Sequence, residues 1–331
     1  MADPVRILVT GAGGPAAVAF LQAVIGPGVD AFAVDIDPHA AGLYLVPPER
    51  RGLVRRGDDP AFATDLVRAC QAHRIDVLVP TVDTELLPLV PHRDELEAAG
   101  TRVLMASDRT LELCLDKWTL VEACAAAGVP VPATRVVEPE LSLDDWSWPA
   151  IVKPRQGSGS RGVELLRSPD DLGRIPHDGS MILQANLPGI EHSLDVLAYR
   201  DGRIAAVVPR TRLKVDSGIA VTGATVVDEE LDRIGRQVAA AIGLTTVANV
   251  QVKADPDGRP RLLEVNPRFP GSMPLTVGAG VNMPVLALDD VLGRPVPDRV
   301  EHRALEVVRH WQETFLEPGS LAATGPIELG G

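Results

Sequence analysis

Short apolar runs alternate with segments of helical periodicity over the first third of the chain. The apolar runs have the length of buried strands, and the segments between them repeat apolar residues at the spacing of one helix face. The predicted strands are Val5–Thr10, Ala31–Asp35, Asp76–Pro80 and Arg102–Ala106, and the predicted helices are Pro15–Ile25, Asp59–His73 and Thr84–Ala99. The last of these helices is expected to be interrupted, or to begin, near Pro88 and Pro91. Strands separated by helices predict a parallel, doubly wound sheet, and therefore an α/β domain.

The pattern changes after a short helix predicted at Asp116–Ala127. From residue 134 onward, alternating segments are joined by turn sequences such as Asp257-Gly258, which predicts an α+β region with antiparallel sheet. A last strand is predicted within Arg303–Phe315. The tail 317–331, rich in Gly, Ala and Pro, is expected to be flexible.

A Pro-Asp-Gly turn sequence joins two strongly alternating strands near the C-terminal end, so this segment should form a hairpin. The expected register pairs Ala254 with Arg259. It places Gln251 opposite Leu262, with Glu264 as a diagonal neighbour on the same face. The other face is apolar and should be buried. It carries Val250, Val252, Leu263 and Val265.

The polar face of this hairpin offers side-chain oxygens from Gln251, Glu264 and Asn266. Mg²⁺ binds a few such ligands and takes its remaining oxygens from phosphates and water. Arg268, just beyond, could bind a phosphate or an acyl phosphate oxygen. An ordinary half-exposed hairpin shows the same pattern, so this segment alone leaves both interpretations open.

Composition excludes some classes of function. A net charge of −13 with 3% aromatic residues argues against a nucleic-acid surface, which needs basic patches and stacking rings. No apolar stretch reaches the roughly 20 residues of a membrane span. The first predicted strand follows the N-terminus directly, so no signal peptide is expected. Three cysteines without a CxxC pair, Cys70, Cys114 and Cys124, indicate a reduced, cytoplasmic protein.

A glycine-rich turn, Gly11–Gly14, follows the first strand. It is similar to the dinucleotide-binding fingerprint, with Ala16 at the third glycine position and Asp35 at the end of the second strand. A nicotinamide-dependent oxidoreductase is therefore one possible class. The alternative, that small residues simply allow the strand to turn sharply into its helix, is favoured because the rest of the chain does not resemble a dehydrogenase.

A second loop of small residues, Gly157–Gly162, follows a buried strand that ends near Lys153. Backbone N–H groups of such a loop can approach phosphates closely, and the lysine adds a positive charge. The loop is not a P-loop, because the lysine precedes the glycines and a strand follows. A plain hairpin loop with a surface lysine is the alternative; the chain has only four lysines, which argues against it.

Four segments occur in an order that is specific as a set. They are Asp116-Lys117, Ile151-Val152-Lys153-Pro154 with the Gly157–Gly162 loop, Met181–Glu191, and the hairpin ending in Glu264-Val265-Asn266-Pro267-Arg268. Together they resemble the ATP-grasp superfamily, and within it the carbamoyl-phosphate-synthase-like and short carboxylate–amine ligases. The resemblance implies three domains and a tail. They are a Rossmann-like pre-ATP-grasp domain (1–112), a central lobe with a lid loop (113–187), a C-terminal lobe with a metal site (188–316) and the flexible tail (317–331).

The resemblance also implies the cofactors ATP and Mg²⁺ (or Mn²⁺) and assigns residues to them. Lys117 and Lys153 match the basic positions that contact ATP phosphates, Glu191 matches the ribose-binding carboxylate, and Arg268 matches the arginine that steadies the transferred phosphoryl group. The lid positions are Gly157, Ser158, Gly159, Ser160 and Gly162; the adenine-binding hinge positions are Gln184, Ala185 and Leu187; the metal-ligand positions are Gln251, Glu264 and Asn266. In relatives Gln184 is more often Glu, and Gln251 is often acidic, which leaves Glu264 as the expected bridging ligand.

The sequence says less about which residues contact the substrates. Alternation places Arg210, Arg212 and Lys214 on one strand face, either as a clamp for a substrate carboxylate or phosphate or as a solvated basic face. Glu85 and Asp83 follow a parallel strand at the edge where open α/β sheets bind ligands, and could orient an amine. The alternative is that Thr84 simply caps the following helix.

The resemblance implies an ATP-dependent carboxylate–amine ligase that forms an amide or peptide bond through an acyl phosphate and releases ADP and phosphate. Its partners would be a small-molecule carboxylate and an amine, with a homodimer possible. The alternatives are a carboxyphosphate-forming enzyme of the carbamoyl-phosphate type, the oxidoreductase, and a non-catalytic nucleotide-binding module.

Overall fold

The structure, a computed structural model, describes residues 3–157, 159, 161–216, 219–310, 312–321 and 325–327. The lid residues Ser158 and Ser160 lie outside this part. Three sheets organise the described residues, with five, four and six strands. Among the described residues, no helix is long and apolar enough to cross a membrane.

The first sheet is parallel, as the alternation of strands and helices predicts. Its order is β3-β2-β1-β4-β5, from β1 (Val5–Val9), β2 (Val29–Asp35), β3 (Arg51–Leu53), β4 (Val77–Val79) and β5 (Arg102–Val103). The helices α1 (Pro15–Val24), α2 (Phe62–His73), α3 (Asp83–Leu89) and α4 (Arg93–Ala98) belong to the same part of the chain. The helix predicted at Thr84–Ala99 is interrupted at Pro91, as expected from its prolines. A 3₁₀ turn at Val90–His92 contains Pro91, which has no N–H to donate.

Two helices link the first sheet to the second. The first, α5 (Asp108–Leu115), was not among the predicted elements; Ser107 caps it by accepting a hydrogen bond from the Thr110 amide at 3.2 Å. The second, α6 (Lys117–Ala126), is capped by Asp116. The second sheet follows and is antiparallel. Its order is β6-β9-β7-β8, from β6 (Thr134–Val136), β7 (Ala150–Pro154), β8 (Glu164–Leu166) and β9 (Met181–Ala185).

The third sheet is also antiparallel and holds the hairpin. Its strands are β10 (Glu191–Ala198), β11 (Ile204–Asp216), β12 (Ile219–Thr225), β13 (Val247–Ala254), β14 (Pro260–Asn266) and β15 (Leu305–Val308), in the order β14-β13-β10-β11-β12-β15. Its helices are α7 (Glu229–Ile242), α8 (Met273–Gly278) and α9 (Met283–Val291). The strand predicted within Arg303–Phe315 is β15, which covers only Leu305–Val308. Phe269 packs edge-on against Phe20 of α1 with ring centroids 4.9 Å apart, which joins the third sheet's lobe to the first domain.

The register of the hairpin differs from the expected one. Ala254 pairs with Pro260 rather than Arg259. An irregularity between Gln251 and Val252 takes up one residue, so Gln251 lies directly opposite Glu264 and no longer faces Leu262. For the same reason Leu262 is buried, whereas Leu263, expected on the core face, is only half-buried. The bulge brings the two predicted metal ligands closer than the expected register would.

The end of the chain returns to the first sheet. Pro326 forms a parallel bridge with Leu53 of β3, and the Leu53 amide donates to the Gly325 carbonyl at 2.8 Å. Ile327 is 8% exposed and belongs to the core of the first domain. The tail predicted to be flexible is therefore packed at residues 325–327. The three sheets fall within the ranges 1–112, 113–187 and 188–316, and these domain limits remain a prediction.

Candidate nucleotide and metal site

A cavity of about 820 Å³ lies between the second and third sheets. Most of the residues that the sequence assigns to the site line it: Lys117, Lys153, Gly157, Gly159, Gln184, Ala185, Leu187, Glu191, Arg210, Arg212, Gln251, Glu264, Asn266 and Arg268. Gly162, at a positive φ of 71°, belongs to the same loop but is not among the lining residues, and Glu85 is not among them either.

The two lysines occupy one end of this cavity. Lys153, on β7, is 4% exposed and points its Nζ toward the Leu263 carbonyl at 3.4 Å. Burial lowers its pKa to about 8, although the carboxylate of Glu264 opposes that shift. Lys117, at the start of α6, donates from Nζ to the Gly157 carbonyl at 2.7 Å, and burial lowers its pKa as well. Two partly desolvated cations beside a loop of small residues can bind phosphate oxygens.

Asp116 fixes the base of the loop. Its carboxylate accepts from the Trp118 amide at 2.9 Å and caps α6. It also forms a two-pronged ion pair with Arg155, with Nη2 to Oδ2 at 2.7 Å. The pair holds the start of α6 against the end of β7, so that Lys117 and Lys153 face one cavity. An acidic residue directly before a helix is a signal for a cap, and Asp116 has that position. No such signal in the sequence identifies Arg155 as its partner.

The hinge side chain turns away from the cavity centre. Gln184 is 2% exposed, and its Nε2 donates to Thr134 Oγ1 on β6 at 3.0 Å. The segment from Ala185 to Leu187 then lines the cavity. Glu191, where β10 begins, accepts from Arg212 Nη1 at 2.9 Å. A base would therefore meet the backbone of the hinge, and a ribose would have to share Glu191 with Arg212.

The donor set at the hairpin fits a hard cation. Glu264 supplies one carboxylate, and Gln251 opposite it and Asn266 two positions on supply amide oxygens. Asn266 Nδ2 lies 3.3 Å from Glu264 Oε1, and rotation of the amide would turn its oxygen inward. The described residues contain no group of three or more His, Cys, Asp or Glu arranged for a metal. A cation here would thus need phosphate or water oxygens to complete its shell.

Arg268 also lines the cavity and is held by the first domain. Its guanidinium forms two parallel bonds to Asp83 of α3, Nε to Oδ1 at 2.6 Å and Nη2 to Oδ2 at 2.9 Å. Asp83 is one of the two acids that, from the sequence, could orient an amine substrate. The other, Glu85, is 6% exposed and accepts from Thr10 Oγ1 at 2.5 Å. Burial raises the pKa of Glu85 to about 7. Glu85 does not line the cavity, and its contact with a substrate stays a prediction.

Arg210 lines the cavity but is fully committed to a buried partner. Its guanidinium forms a bidentate pair with Asp195, with Nη2 to Oδ1 at 2.6 Å. Asp195 also accepts from Asn249 Nδ2 and Thr276 Oγ1. The strand is irregular between Arg212 and Lys214, and Lys214 is exposed. Of the three cations expected on one face, only Arg210 and Arg212 line the cavity. Each is paired with an acid, Arg210 with Asp195 and Arg212 with Glu191, and a substrate clamp stays a prediction.

The glycine-rich turn after β1 serves the first domain's own backbone. The Gly13 amide donates to Asp35 Oδ2 at 2.7 Å, and Gly11 has a φ of 60°. Asp35, where a dinucleotide's ribose would bind, is 8% exposed and already bonded. This supports the interpretation that the small residues of the turn simply allow β1 to turn sharply into its helix.

Known proteins share this architecture. Residues 177–314 match a family model described as ATP-grasp in the biosynthetic pathway with Ter operon. The chain is 26% identical over 182 residues to a carbamoyl-phosphate synthase of Methanobrevibacter smithii, covering 52% of this chain and 47% of the synthase. It is 28% identical over 185 residues to a D-alanine–D-alanine ligase of Gloeobacter violaceus, covering 46% of this chain and 59% of the ligase. The chain thus spans about half the length of the curated relatives it matches.

Solved structures extend the similarity to most of the chain. A biotin carboxylase of Campylobacter jejuni in complex with β,γ-ATP superposes with a TM-score of 0.73 at 16% identity, over 88% of this chain and 72% of that one. An N5-carboxyaminoimidazole synthetase of Staphylococcus aureus complexed with ADP gives a TM-score of 0.70 at 18% identity, over 91% and 81%. These comparisons confirm the resemblance to the ATP-grasp superfamily. The chain has the ATP-grasp fold, as its sequence predicts.

Proposed function

We propose that the protein is an ATP-dependent carboxylate–amine ligase. The observation that carries the proposal is the single cavity that gathers Lys117, Lys153, the Gly157 loop, the Gln251–Glu264–Asn266 donor set and Arg268. The names of two relatives, a D-alanine–D-alanine ligase and a carbamoyl-phosphate synthase, support a reaction of this kind. Both are enzymes with small-molecule substrates, and we propose the same for this chain, in the cytoplasm and with a homodimer possible.

The proposed reaction has two steps. A carboxylate oxygen of the acid attacks the γ-phosphorus of ATP; the bond to the β–γ bridging oxygen breaks, and ADP leaves. The amine nitrogen then attacks the acyl carbon, the carbon–oxygen bond to phosphate breaks, and the nitrogen loses a proton. Catalysis of such steps rests on positioning and charge neutralisation, so no nucleophilic side chain is required.

The residues divide this work. Lys117 and Lys153 would bind phosphate oxygens, and the backbone from Gln184 to Leu187 would receive the base. Gln251, Glu264 and Asn266 would hold Mg²⁺ or Mn²⁺, which supplies positive charge beside the transferred group. Arg268 would steady that group and the acyl phosphate. The loop at Gly157 would cover the phosphates and exclude water from the acyl phosphate.

The test is a screen for ADP release with pairs of amino acids or other carboxylates and amines, in the presence of Mg²⁺. We expect release that requires the acid, the amine and the metal together. Glu264→Ala and Arg268→Ala should each lower turnover by about 100-fold or more. Glu49→Ala, at an exposed position away from the cavity, is the matched control. Full activity in both site variants would contradict the assignment.

A second candidate is a carboxyphosphate-forming enzyme that uses bicarbonate as the acid. A neighbour in structure, a 2-oxoglutarate carboxylase domain, was solved with MgADP and bicarbonate, and it has the same fold as this chain. ADP release that depends on bicarbonate and no other carboxylate would favour this candidate. The oxidoreductase alternative has little support, since Asp35 binds Gly13; titration with NAD(H) beside ATP separates the two.

A further inference from the structure

A second cavity, of about 740 Å³, lies between the first domain and the lobe of the third sheet. One wall comes from β5, the residues that follow it and the start of α5. The other comes from the end of β10, the segment before β13, and α9. It shares no lining residue with the cavity between the second and third sheets, which is called the nucleotide cavity below. Neither the proposed ligase reaction nor any residue assigned to it accounts for this cavity.

Two of the cavity's arginines are already occupied. Arg93 Nη2 bonds to Asp108 Oδ1 at 3.0 Å and donates to the Ala106 carbonyl. Arg200 Nη2 donates to the Asp290 carbonyl at 2.6 Å, and the Arg200 amide binds the same residue's carboxylate. Each arginine neutralises one aspartate, Arg93 that of Asp108 and Arg200 that of Asp290. These bonds hold the two pairs in place at the edge of the cavity.

The other two arginines, Arg102 and Arg109, have side chains without a hydrogen-bond or ion-pair partner among the described residues. Glu97 is the remaining acid on the wall, so the unpaired residues carry a net positive charge. Arg109 also lies in the first turn of α5, where the helix dipole favours an anion. Both arginines are exposed.

A buried hydroxyl provides a second, independent sign of a ligand. Thr246 lines the cavity and is 5% exposed, and its Oγ1 has no hydrogen-bond partner in the described part of the chain. A buried polar atom without a partner costs free energy that a bound group can recover. The lining also includes apolar residues, of which Leu104, Met105 and Val291 are buried.

We propose that this cavity binds a small organic anion with an aliphatic body. Arg102 and Arg109 hold its carboxylate, and the body lies on Leu104 and Val291 beside Thr246. A ligand of amino-acid size fits the volume, and it joins the first domain to the C-terminal lobe.

The experiment uses 4-methylpentanoate as the probe, with the full chain and isothermal titration calorimetry. We expect saturable binding at one site. Arg102→Gln/Arg109→Gln should weaken it by about tenfold or more, because the charge partners are lost. Arg68→Gln/Arg299→Gln, which removes two exposed arginines elsewhere, should bind as the parent does. The neutral 4-methylpentan-1-ol should not bind, and acetate, without the aliphatic body, should bind about tenfold more weakly.

Two further variants locate the site. Glu264→Gln in the nucleotide cavity should leave probe binding unchanged, and Thr246→Val should weaken it while raising the melting temperature of the free protein. The proposal is overturned if the probe shows no saturable binding up to about 20 mM. It is also overturned if the double arginine variant binds normally, or if ATP displaces the probe.

Discussion

Arg268 and Asp83 form a two-pronged ion pair across the boundary between the C-terminal lobe and the first domain, with a closest distance of 2.6 Å. Both side chains are about one-fifth exposed, so the pair is neither buried nor freely solvated. Because Arg268 also lines the nucleotide cavity, α3 of the first domain sets where this guanidinium points. The first domain is thus part of the candidate active site.

Asp83→Asn should lower the turnover of the proposed reaction by about 10- to 100-fold, since Arg268 loses its fixed orientation. Nucleotide affinity, measured with a fluorescent ATP analogue, should stay within about twofold. In a double-mutant cycle, Asp83→Asn should add little to Arg268→Ala, because both act through one pair. Asp58→Asn, which breaks an exposed pair with Arg56, is the control. Additive effects would show that Asp83 acts independently of Arg268.

Lys153→Met should stabilise the metal-free protein at pH 7 while it weakens ATP binding. The lysine is 4% exposed with its pKa lowered to about 8, so its charge is buried at a cost on the order of 1–3 kcal/mol. Urea unfolding in EDTA measures the stability, and calorimetry measures the ATP affinity, which should fall about tenfold or more. Lys214→Met, at an exposed position, should change neither the stability nor the ATP affinity. A destabilised variant would contradict the idea that the fold tolerates this lysine for the sake of a ligand.

Glu85→Gln should stabilise the protein at pH 8 but not at pH 4.5. The pKa of Glu85 is raised from 4.5 to about 7 by burial, so the folded state holds an extra proton between these values. The parent therefore loses stability from this group as pH rises from 4.5 to 7, by an amount on the order of 3 kcal/mol, and no more above that. The amide can still accept from Thr10.

Chemical unfolding across this pH range gives the difference between variant and parent, in which other titrating groups cancel. The exposed Glu49→Gln should show no such pH dependence. A difference that stays constant from pH 4.5 to 8 would exclude the buried carboxyl as its source.

Ile327→Ala should destabilise the protein by about 2 kcal/mol, because this side chain fills the core of the first domain. Leu321→Ala, in the same tail but 45% exposed, should have little effect. Gly52→Ala should also destabilise, since an added Cβ would lie 2.6 Å from the Ile327 backbone. Thermal unfolding of the three variants measures these effects. Equal stability of Ile327→Ala and the parent would mean that the tail detaches in solution.

The local features of this chain were predictable, and the long-range partners were not. The order of strands and helices predicted the parallel sheet, and alternation with turn residues predicted the hairpin, because these patterns are visible in neighbouring residues. The bulge that places Gln251 opposite Glu264 has no such signal, and the predicted register was wrong. Helix α5 was missed although Ser107 is a good cap, since no clear break separates it from α6.

The partner of Arg268 lies 185 positions away in the sequence. Alternation placed Arg210 on a polar face but could not reveal that Asp195, Asn249 and Thr276 surround it. Such pairings depend on how the sheets pack, which a single sequence does not encode in any short pattern. The residues proposed to touch the ligands were thus predicted from motifs, while those that hold them in place required the structure.

The return of the chain to β3 also has a consequence for synthesis on the ribosome. Leu53 leaves the exit tunnel long before its neighbours at Gly325 and Ile327 are made. At the usual 5–20 residues per second this delay is roughly a quarter of a minute to one minute. Through that interval the outer strand of the first sheet has an open edge, which is a template for pairing with other chains. A nascent chain stalled before residue 325 should therefore depend on chaperones more than the finished one does.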